Sequence, residues 1–264
     1  MFLKGAITAL VTPMKENGDL DFESLENLIN FQIESGVSGI VAVGTTGESA
    51  TIDFKDHMRL IEAFVKISNK RIPIIAGTGA NSTEEAITLT KSAESSGADA
   101  ALLVSPYYNK PPQEGIYEHH IKIADEVNLP QILYNVPSRT ASFIESETVS
   151  RLAKHQNIIG IKDATGDMEN LENLKTLCKE EIKTNNFSLF SGDDFSSLEF
   201  IAKGGDGTIS VSSNIVPKIV SDICELVKKD YDAAKNLDDS LKELNKNLFI
   251  ESNPIPVKWA LLKM

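Results

Sequence analysis

Residues 158–166 read Ile-Ile-Gly-Ile-Lys-Asp-Ala-Thr-Gly. A short Ile-rich run that ends in a turn is typical of a buried strand in a parallel sheet. Lys162 lies at the carboxyl end of this run, where poor solvation favours a neutral, nucleophilic amine over a charged ammonium. Such an amine can form a Schiff base with a carbonyl substrate. The alternative is a surface ion pair between Lys162 and Asp163, which would contribute little to stability.

The same kind of short apolar run recurs along the whole chain, in alternation with longer amphipathic segments. The predicted strands are 6–11, 39–43, 72–76, 101–104, 131–134, 158–161, 188–190 and 207–211, and the predicted helices between them are 21–35, 54–69, 82–96, 113–127, 145–154, 167–180 and 195–203. Most of the strands start roughly 30 residues apart, which is the length of one βα unit. Eight such units predict an α/β fold, a (β/α)8 TIM barrel.

Three more helices are predicted after the eighth strand, over residues 217–229, 231–247 and 254–263. No segment rich in Pro or Ser divides the chain into separate units. We therefore expect a (β/α)8 barrel that carries the active site in residues 1–215. Residues 216–264 are expected to form an appended C-terminal helical segment.

The composition argues against several classes of protein. The 264 residues carry a net charge of −12 and their lysines are scattered, whereas nucleic-acid binding needs a concentrated basic surface. No apolar run reaches the length of a transmembrane helix, and the N-terminus has no leader pattern. Cys178 and Cys224 form no C-x-x-C motif, which suits a reducing compartment. We expect a soluble, cytoplasmic protein with neither a nucleic acid nor a membrane as partner.

No motif indicates a metal or a nucleotide cofactor. The histidines form no H-E-x-x-H sequence and no Cys/His cluster, and they are His57, His119, His120 and His155. The chain also lacks a G-x-G-x-x-G sequence and a P-loop. A carbonyl reaction in this protein would therefore need an amine rather than a zinc ion.

Polar and glycine-rich motifs follow the predicted strands, at the end where barrel enzymes carry their active sites. Thr45 and Thr46 stand between glycines and offer hydroxyl and N–H groups to a small anion, although a tight turn also explains them. Tyr134 ends the strand before that of Lys162, so its phenol could reach a substrate on the amine, unless it is only a rim tyrosine. Arg139 follows in a proline turn, and its guanidinium suits a carboxylate, although most such arginines are merely solvated.

Seven motifs, in this order, resemble those of a known family: G-T-T-G-E-S at 44–49, A-G-T-G-A-N at 76–81, P-Y-Y-N-K-P at 106–111, Y-N-V-P-S-R-T at 134–140, G-I-K-D-A-T-G at 160–166, S-G-D-D at 191–194 and N-P-I-P-V-K-W at 253–259. From residue 5 to residue 259 the chain resembles the dihydrodipicolinate synthase family of the pyruvate-dependent class I aldolases and lyases. The resemblance implies condensation of pyruvate with L-aspartate 4-semialdehyde to 4-hydroxy-tetrahydrodipicolinate, in lysine and diaminopimelate biosynthesis.

The resemblance also implies roles for single residues. Lys162 would form the imine with pyruvate, so no separate cofactor is expected. Tyr134 would act as general acid and base. Its protons would be relayed through Thr45 and through Tyr108, which would reach into the site of a neighbouring subunit. The substrate-binding residues implied in the same way are Thr45, Thr46, Arg139, Gly192 and Ile209.

Other functions remain open at this point. N-acetylneuraminate lyases and 2-keto-3-deoxy-sugar acid aldolases share the lysine and the tyrosine, but they recognise polyhydroxylated partners and usually lack the P-S-R-T turn at 137–140. A non-catalytic paralogue that binds pyruvate or lysine is the alternative from another class. We expect a decayed enzyme to have lost Lys162, Tyr134 or Arg139, and all three are present.

A second site follows from the resemblance, because family members that lysine inhibits bind it at a dimer interface. The matching positions are Ser49, Ala50, His57, Asn81, Glu85 and Tyr107. Asn81 and Glu85 are four residues apart and would share a helical face, although Glu85 also fits a capping box with Ser82. Phe54 stands where some inhibited members have histidine, so inhibition by lysine is expected to be reduced or differently tuned.

The resemblance further implies a homotetramer, built as a dimer of dimers. Members of the family continue past the N-P-I-P-V-K-W segment with another helix, whereas this sequence stops at Met264. Because the terminal helices pack on the barrel, we expect the apparently shortened segment to affect stability and assembly. Every catalytic position is present, so activity is still expected.

Overall fold

Eight parallel strands close into a barrel in the computed structural model, which describes residues 3–264. Met1 and Phe2, the first residues of the predicted leaderless N-terminus, lie outside the described part. Each strand pairs with the next, and β8 pairs with β1. The strands are β1 Gly5–Ala9, β2 Gly39–Ala42, β3 Ile74–Gly77, β4 Ala100–Val104, β5 Gln131–Asn135, β6 Ile158–Asp163, β7 Ser188–Ser191 and β8 Gly207–Ser210. The predicted (β/α)8 barrel is confirmed.

Helices alternate with the strands and surround the barrel. They are α1 Phe22–Glu34, α2 Phe54–Ser68, α3 Thr83–Ser96, α4 Gln113–Glu126, α5 Pro137–Thr140, α6 Ser146–Leu152, α7 Met168–Leu177, α8 Lys179–Lys183, α9 Ser197–Ala202, α10 Pro217–Leu226, α11 Tyr231–Leu248 and α12 Ile255–Lys263. Local sequence fixes several of their ends. The side chains of Asp53 and Ser82 accept hydrogen bonds from the first turns of α2 and α3. Gly97 ends α3 at φ +88, a conformation that glycine adopts without steric cost.

Two boundaries differ from the prediction in an informative way. Strand β6 does not end at residue 161, because Lys162 and Asp163 still pair with Tyr134 and Asn135 of β5. Lys162 is therefore a strand residue, held by neighbouring strands on both sides. The helix predicted over 167–180 is interrupted at Cys178, whose backbone leaves the helical region and separates α7 from α8.

Successive strand residues point alternately to the barrel interior and to the surrounding helices. The interior holds a cluster of buried apolar side chains that includes Ile7, Val41, Ile75, Leu102, Ile132, Tyr134, Phe190 and Ile209. Two larger clusters fill the layer between the sheet and the helices, one around Phe64 and one around Phe187. Because the interior is packed with side chains, the room for a ligand lies at the ends of the strands.

The last three helices pack close to the seam between β8 and β1. Val220 of α10 and Leu241 of α11 share a cluster with Ala6 of β1. Val257 of α12 is fully buried against Val11 and Val211, which lie within two residues of the ends of the two seam strands. The C-terminal segment therefore reaches the same end of the barrel as the strand-end motifs. The division into residues 1–215 and 216–264 stays a proposal.

Two adjacent histidines of α4 are buried. His119 is 5% exposed and its Nδ1 lies 2.9 Å from the Thr83 hydroxyl, whereas His120 is fully buried. The other three ring nitrogens of the pair have no hydrogen-bond partner among the described residues. Burial lowers the pKa of His119 to about 4 and lowers the pKa of His120 well below its ordinary value. Both imidazoles are therefore neutral in the folded protein at neutral pH.

Replacing His120 by phenylalanine is expected to make the protein less sensitive to acid. The unfolded chain protonates this histidine below pH 6.5, whereas the folded chain keeps it neutral. The unfolded state thus binds the extra proton, so the free energy of unfolding falls as the pH drops, by about 1.4 kcal/mol per pH unit for one such group. Denaturant titrations at neutral and at mildly acidic pH would measure this loss, which should be smaller in the His120→Phe variant.

The matched control for this experiment is His155→Gln. The imidazole of His155 lies 3.3 Å from the Asp125 carboxylate and is partly exposed, so its removal should leave the acid sensitivity caused by the buried pair in place. For each variant, the free energy of unfolding at mildly acidic pH is compared with that of the same variant at neutral pH. This comparison separates the effect of pH from any loss of packing. Equal acid sensitivity in the wild type and in His120→Phe would contradict the prediction.

Candidate active site

Lys162 is buried near the carboxyl end of β6, between Tyr134 of β5 and Phe190 of β7. The residue is 5% exposed, and its Nζ lies 4.3 Å from the centre of the Tyr134 ring. No carboxylate within residues 3–264 forms an ion pair with it. The alternative of a surface ion pair with Asp163 is therefore wrong. Burial without a counter-charge is an environment in which lysine serves as a nucleophile.

Asp163 has separate partners, because it points to the opposite side of the strand from Lys162. Its carboxylate accepts hydrogen bonds from Asn170 Nδ2 at 2.8 Å, Thr165 Oγ1 at 2.9 Å and Asn135 Nδ2 at 3.2 Å. Burial raises the pKa of Asp163, and the hydrogen bonds from Asn170 and Thr165 act in the opposite direction. These contacts tie the end of β6 to β5 and α7, and so fix the backbone that carries Lys162.

Gly192 and Ile209 are two further predicted site residues. A Cβ atom on Gly192 would lie 2.8 Å from Cε of Lys162, so a larger residue at this position would displace the lysine stem. The Gly192 N–H donates to the Asp163 carbonyl at 2.7 Å. Ile209 is buried on β8, in the same interior cluster as Tyr134. The structure thus brings Gly192 into direct contact range of Lys162 and puts Ile209 in the barrel interior.

The loop after β2 carries Thr45 and Thr46. It folds back on itself through hydrogen bonds from the Glu48 N–H to the Thr45 carbonyl, at 3.0 Å, and from the Ser49 N–H to the Gly44 carbonyl, at 3.2 Å. The N–H groups of Thr45 and Thr46 take part in no backbone hydrogen bond within residues 3–264. Uncommitted N–H groups beside hydroxyls in one turn can bind a small anion such as a carboxylate.

One cavity of about 440 Å³ opens beside this loop and is lined by both Thr45 and Arg139. Arg139 lies in α5, the single helical turn that follows β5, and the residue is exposed. Lys162 and Tyr134 do not line this cavity. They belong to the barrel interior, and Val136 is common to the interior cluster and the cavity wall. Lys162 and the cavity lined by Thr45 and Arg139 therefore occupy adjoining spaces at one end of the barrel, and Thr46 does not line the cavity.

Tyr108 differs from the other predicted catalytic residues, because it points away from its own chain. Its side chain is 90% exposed, and its backbone has φ +73 in the loop that follows β4. Its neighbour Tyr107 lines the cavity instead. The proton relay through Tyr108 stays a prediction.

The structure gathers most of the predicted lysine-binding residues around the same cavity. The residues of that set that line it are Ser49, Ala50, His57, Glu85 and Tyr107, and Phe54 lines it too. Asn81 is adjacent, since its Nδ2 donates to the Tyr107 carbonyl at 3.1 Å. The alternative role of Glu85 is only half present. Ser82 Oγ accepts from the Glu85 N–H, but within residues 3–264 the Glu85 carboxylate accepts no return bond from the Ser82 N–H. The carboxylate of Glu85 is therefore available to a ligand in the cavity.

Two titratable groups of this set have altered pKa values. Burial lowers the pKa of His57, although its Nε2 donates a hydrogen bond to the Gly77 carbonyl at 2.7 Å, which acts in the opposite direction. Burial raises the pKa of Tyr107, and the nearby Glu85 carboxylate adds to the effect. At neutral pH the cavity wall therefore presents a neutral imidazole and a neutral phenol beside Glu85.

The sequence interpretation missed the contribution of the C-terminal segment to this site. Asn253 is 8% exposed, lines the cavity, and donates from Nδ2 to the Thr46 hydroxyl at 2.9 Å. Its carbonyl accepts from Arg139 Nη2 at 3.2 Å. Lys258 of α12 forms an ion pair with Glu48 of the loop after β2. The sequence signal that could have revealed these contacts is the motif N-P-I-P-V-K-W, in which the polar residues Asn253 and Lys258 interrupt an otherwise apolar stretch.

Two features are absent from the described residues, 3–264. No group of three or more His, Cys, Asp or Glu side chains lies arranged to hold a metal ion. None of the described helices combines the length and the apolar character that a membrane crossing requires.

The chain is similar to known proteins over nearly its whole length. The model of the dihydrodipicolinate synthetase family matches residues 2–264. The 4-hydroxy-tetrahydrodipicolinate synthase of Alcanivorax borkumensis is 51% identical over 263 residues, which cover 99% of this chain and 88% of that protein.

Two solved structures are similar over nearly the whole chain. The chloride-inhibited dihydrodipicolinate synthase of Acinetobacter baumannii, complexed with pyruvate, is 51% identical with a TM-score of 0.95, and the match covers 99% of this chain and 88% of that one. The dihydrodipicolinate synthase of Cyanidioschyzon merolae, with lysine bound, is 37% identical with a TM-score of 0.93, over 98% of this chain and 88% of that one.

Proposed function

Because this chain belongs to the dihydrodipicolinate synthetase family, we infer that it condenses pyruvate with L-aspartate 4-semialdehyde to give 4-hydroxy-tetrahydrodipicolinate. The observation in the fold that carries this inference is the buried amine of Lys162 beside the ring of Tyr134, with no acidic partner among the described residues. A sugar-acid aldolase or a non-catalytic paralogue is not favoured, because the relatives compared above are synthases and Lys162, Tyr134 and Arg139 are all present.

The first half of the reaction uses the Lys162 amine. Its Nζ attacks the carbonyl carbon of pyruvate, water leaves, and an imine forms between the two. The imine withdraws electrons, so a proton leaves the adjacent methyl group and an enamine results. Tyr134 is the proposed proton carrier, because its side chain lies next to Lys162 on the neighbouring strand.

The second half forms the new carbon–carbon bond and releases the enzyme. The enamine carbon attacks the aldehyde carbon of the semialdehyde, and the aldehyde oxygen takes up a proton. The amino group of the semialdehyde then attacks the imine carbon, which closes the ring and returns Lys162 as the free amine. The packed barrel interior around Lys162 limits access of water, and so protects the imine from early hydrolysis.

The two carboxylates would bind in different places. The proposed ligands of the pyruvate carboxylate are the N–H and hydroxyl groups of Thr45 and Thr46, because these N–H groups are not used within the described backbone. The proposed ligand of the semialdehyde carboxylate is Arg139, which lines the cavity and is exposed. Local positive groups are needed here, because the chain as a whole carries a charge of −12 and repels anions.

Borohydride reduction in the presence of pyruvate tests the proposed chemistry. Reduction converts the imine into a stable amine, so peptide mass spectrometry should find one pyruvyl adduct, on the peptide that contains Lys162. Addition of L-aspartate 4-semialdehyde before the borohydride should consume the enamine and lower the yield of the adduct. A folded protein without any adduct would refute the proposal. If the semialdehyde left the yield of the adduct unchanged, L-aspartate 4-semialdehyde would be excluded as the second substrate.

We also propose that lysine binds in the cavity as an inhibitor. A related structure has lysine bound, and in this chain Ser49, Glu85 and Tyr107 line a common space. The exposed carboxylate of Glu85 is a suitable partner for an ammonium group of lysine. Because Thr45 lines the same cavity, a ligand there would lie close to the proposed pyruvate site.

Calorimetric titration with L-lysine should therefore show binding at or below millimolar concentration. The Glu85→Gln variant removes the charge and should weaken binding by about tenfold, which corresponds to about 1.4 kcal/mol. Glu84→Gln is the matched control, because Glu84 is exposed on the same helical turn and does not line the cavity. Absence of any heat of binding up to millimolar lysine would contradict the proposal.

The proposed assembly is a homotetramer, built as a dimer of dimers. The support in this chain comes from Tyr108, in the loop after β4, which is 90% exposed. Because a tyrosine usually buries much of its surface, this exposure suits a loop that another subunit covers. A neighbouring subunit that covers this loop would bring Tyr108 toward the active site of that subunit.

A further inference from the structure

Asn253 joins the two places at which the substrates' carboxylates are proposed to bind. It lies in the short connection between α11 and α12, yet it is 8% exposed and lines the cavity. Its side-chain Nδ2 donates to Thr46 Oγ1 at 2.9 Å, across 207 residues of sequence. Its backbone carbonyl accepts from Arg139 at 3.2 Å. The side chain therefore contacts one proposed carboxylate ligand, and the backbone contacts the other.

The direction of the hydrogen bond to Thr46 determines what the threonine can do. A hydroxyl group has one proton to donate and can accept through its lone pairs. Because the Asn253 amide supplies a donor, the Thr46 hydroxyl is the acceptor in this pair and keeps its own proton. No other hydrogen bond of this hydroxyl occurs within residues 3–264. The proton is therefore left to donate to an anion.

We propose that Asn253 is a positioning residue that commits the Thr46 hydroxyl proton to the carboxylate of pyruvate. This inference rests on the function proposed above. Thr46 is 2% exposed, so water does not compete freely for the pair, and a hydrogen bond to an anion gains strength in such surroundings. The Oδ1 of Asn253 is buried and has no partner among the described residues, which leaves the bond to Thr46 as the contact that orients the amide.

The Asn253→Asp variant reverses the proposed direction with almost no change in shape. A carboxylate at this position has no N–H to donate, so it accepts the Thr46 proton and also adds a negative charge beside the pyruvate site. The reaction is expected to follow ping-pong kinetics, in which kcat/KM for each substrate reports its own half-reaction. We expect kcat/KM for pyruvate to fall by at least about tenfold, with a much smaller change in kcat/KM for the semialdehyde. The bond between Arg139 and the carbonyl of residue 253 is retained.

The control for the added charge is Ser252→Asp, because Ser252 is exposed and precedes Asn253 directly. This variant should keep both kcat/KM values close to those of the wild type. Equal losses for the two substrates in Asn253→Asp would indicate general damage to the site and would overturn the proposal. An unchanged kcat/KM for pyruvate would overturn it as well.

A double-variant comparison tests whether Asn253 acts through Thr46. Thr46→Val removes the hydroxyl and keeps the shape of the side chain, so it should lower kcat/KM for pyruvate by itself. When Thr46→Val is already present, Asn253→Asp should cause a smaller further loss than it causes alone, since the proton that it would redirect is gone and only its added charge acts. If the double variant instead lost kcat/KM for pyruvate by the product of the two single-variant losses, Asn253 would not act through Thr46. Thermal unfolding of each variant reports folding, and a wild-type protein without a borohydride adduct would refute the proposed function rather than this inference.

Discussion

Replacing Lys162 by arginine is expected to abolish the borohydride adduct with pyruvate and to lower kcat for condensation by at least about a thousandfold, or about 4 kcal/mol. Arginine keeps the positive charge and much of the length of lysine, but its guanidinium does not lose its proton in proteins and cannot form an imine. The variant therefore separates covalent chemistry from electrostatic binding of the substrate. Steady-state kinetics and peptide mass spectrometry measure the two consequences independently.

The position of Lys162 makes the choice of controls important. The residue is buried between two strands, and Gly192 packs against its stem, so a bulkier group could disturb the barrel. Lys91→Arg is the matched control, because Lys91 forms an exposed ion pair with Glu126 and should keep full activity. Thermal unfolding should show that Lys162→Arg is folded. A folded variant that retains more than a small fraction of the activity would exclude Lys162 as the imine-forming residue.

Replacing Tyr134 by phenylalanine is expected to lower kcat by roughly a hundredfold to ten-thousandfold, the range typical for removal of a general acid or base. The phenylalanine ring keeps the contact with the Lys162 amine, and it keeps the packing of the interior cluster that Tyr134 shares with Ile209. The missing hydroxyl affects proton transfer in both halves of the reaction. Borohydride adduct should therefore still form with pyruvate, but more slowly than in the wild type.

Rapid quenching with borohydride at increasing times after mixing with pyruvate measures this delay directly. Tyr231→Phe is the control, because Tyr231 lies at the start of α11 and is 46% exposed. A Tyr134→Phe variant with wild-type kcat and a wild-type rate of adduct formation would exclude the phenol as the proton carrier. The relay would then have to begin at another group of the site.

The positions of the strands could be predicted from the sequence because each strand carries a local signal. The apolar runs are short, lie roughly one βα unit apart, and are buried on both faces, which is what a parallel sheet under helices requires. Capping residues such as Asp53, Ser82 and Gly97 mark helix ends through bonds to their own neighbours. The misplaced end of β6 shows the limit. Lys162 and Asp163 are polar, and only pairing with the adjacent strands keeps them in the sheet.

Much of the candidate site was also accessible from the sequence, because barrel topology brings the carboxyl ends of all the strands to one end of the molecule. Lys162, Tyr134, Thr45 and Arg139 each follow or end a predicted strand. The ion pair between Lys162 and Asp163 was a reasonable alternative from adjacency alone. It is wrong because consecutive residues of a strand point to opposite faces, which sends Asp163 to Asn170 and leaves Lys162 with Tyr134.

The sequence by itself determined the barrel, the order of its strand-end motifs and the family, because these depend on local periodicity and on residue types at short spacing. Only the tertiary structure decided which groups meet across the chain. The contact of Asn253 with Thr46, the ion pair of Lys258 with Glu48, and the shared cavity of Thr45 and Glu85 all join segments that are distant in sequence. Such contacts depend on the closure of the barrel and on the packing of α12 against its seam, and no local pattern encodes them.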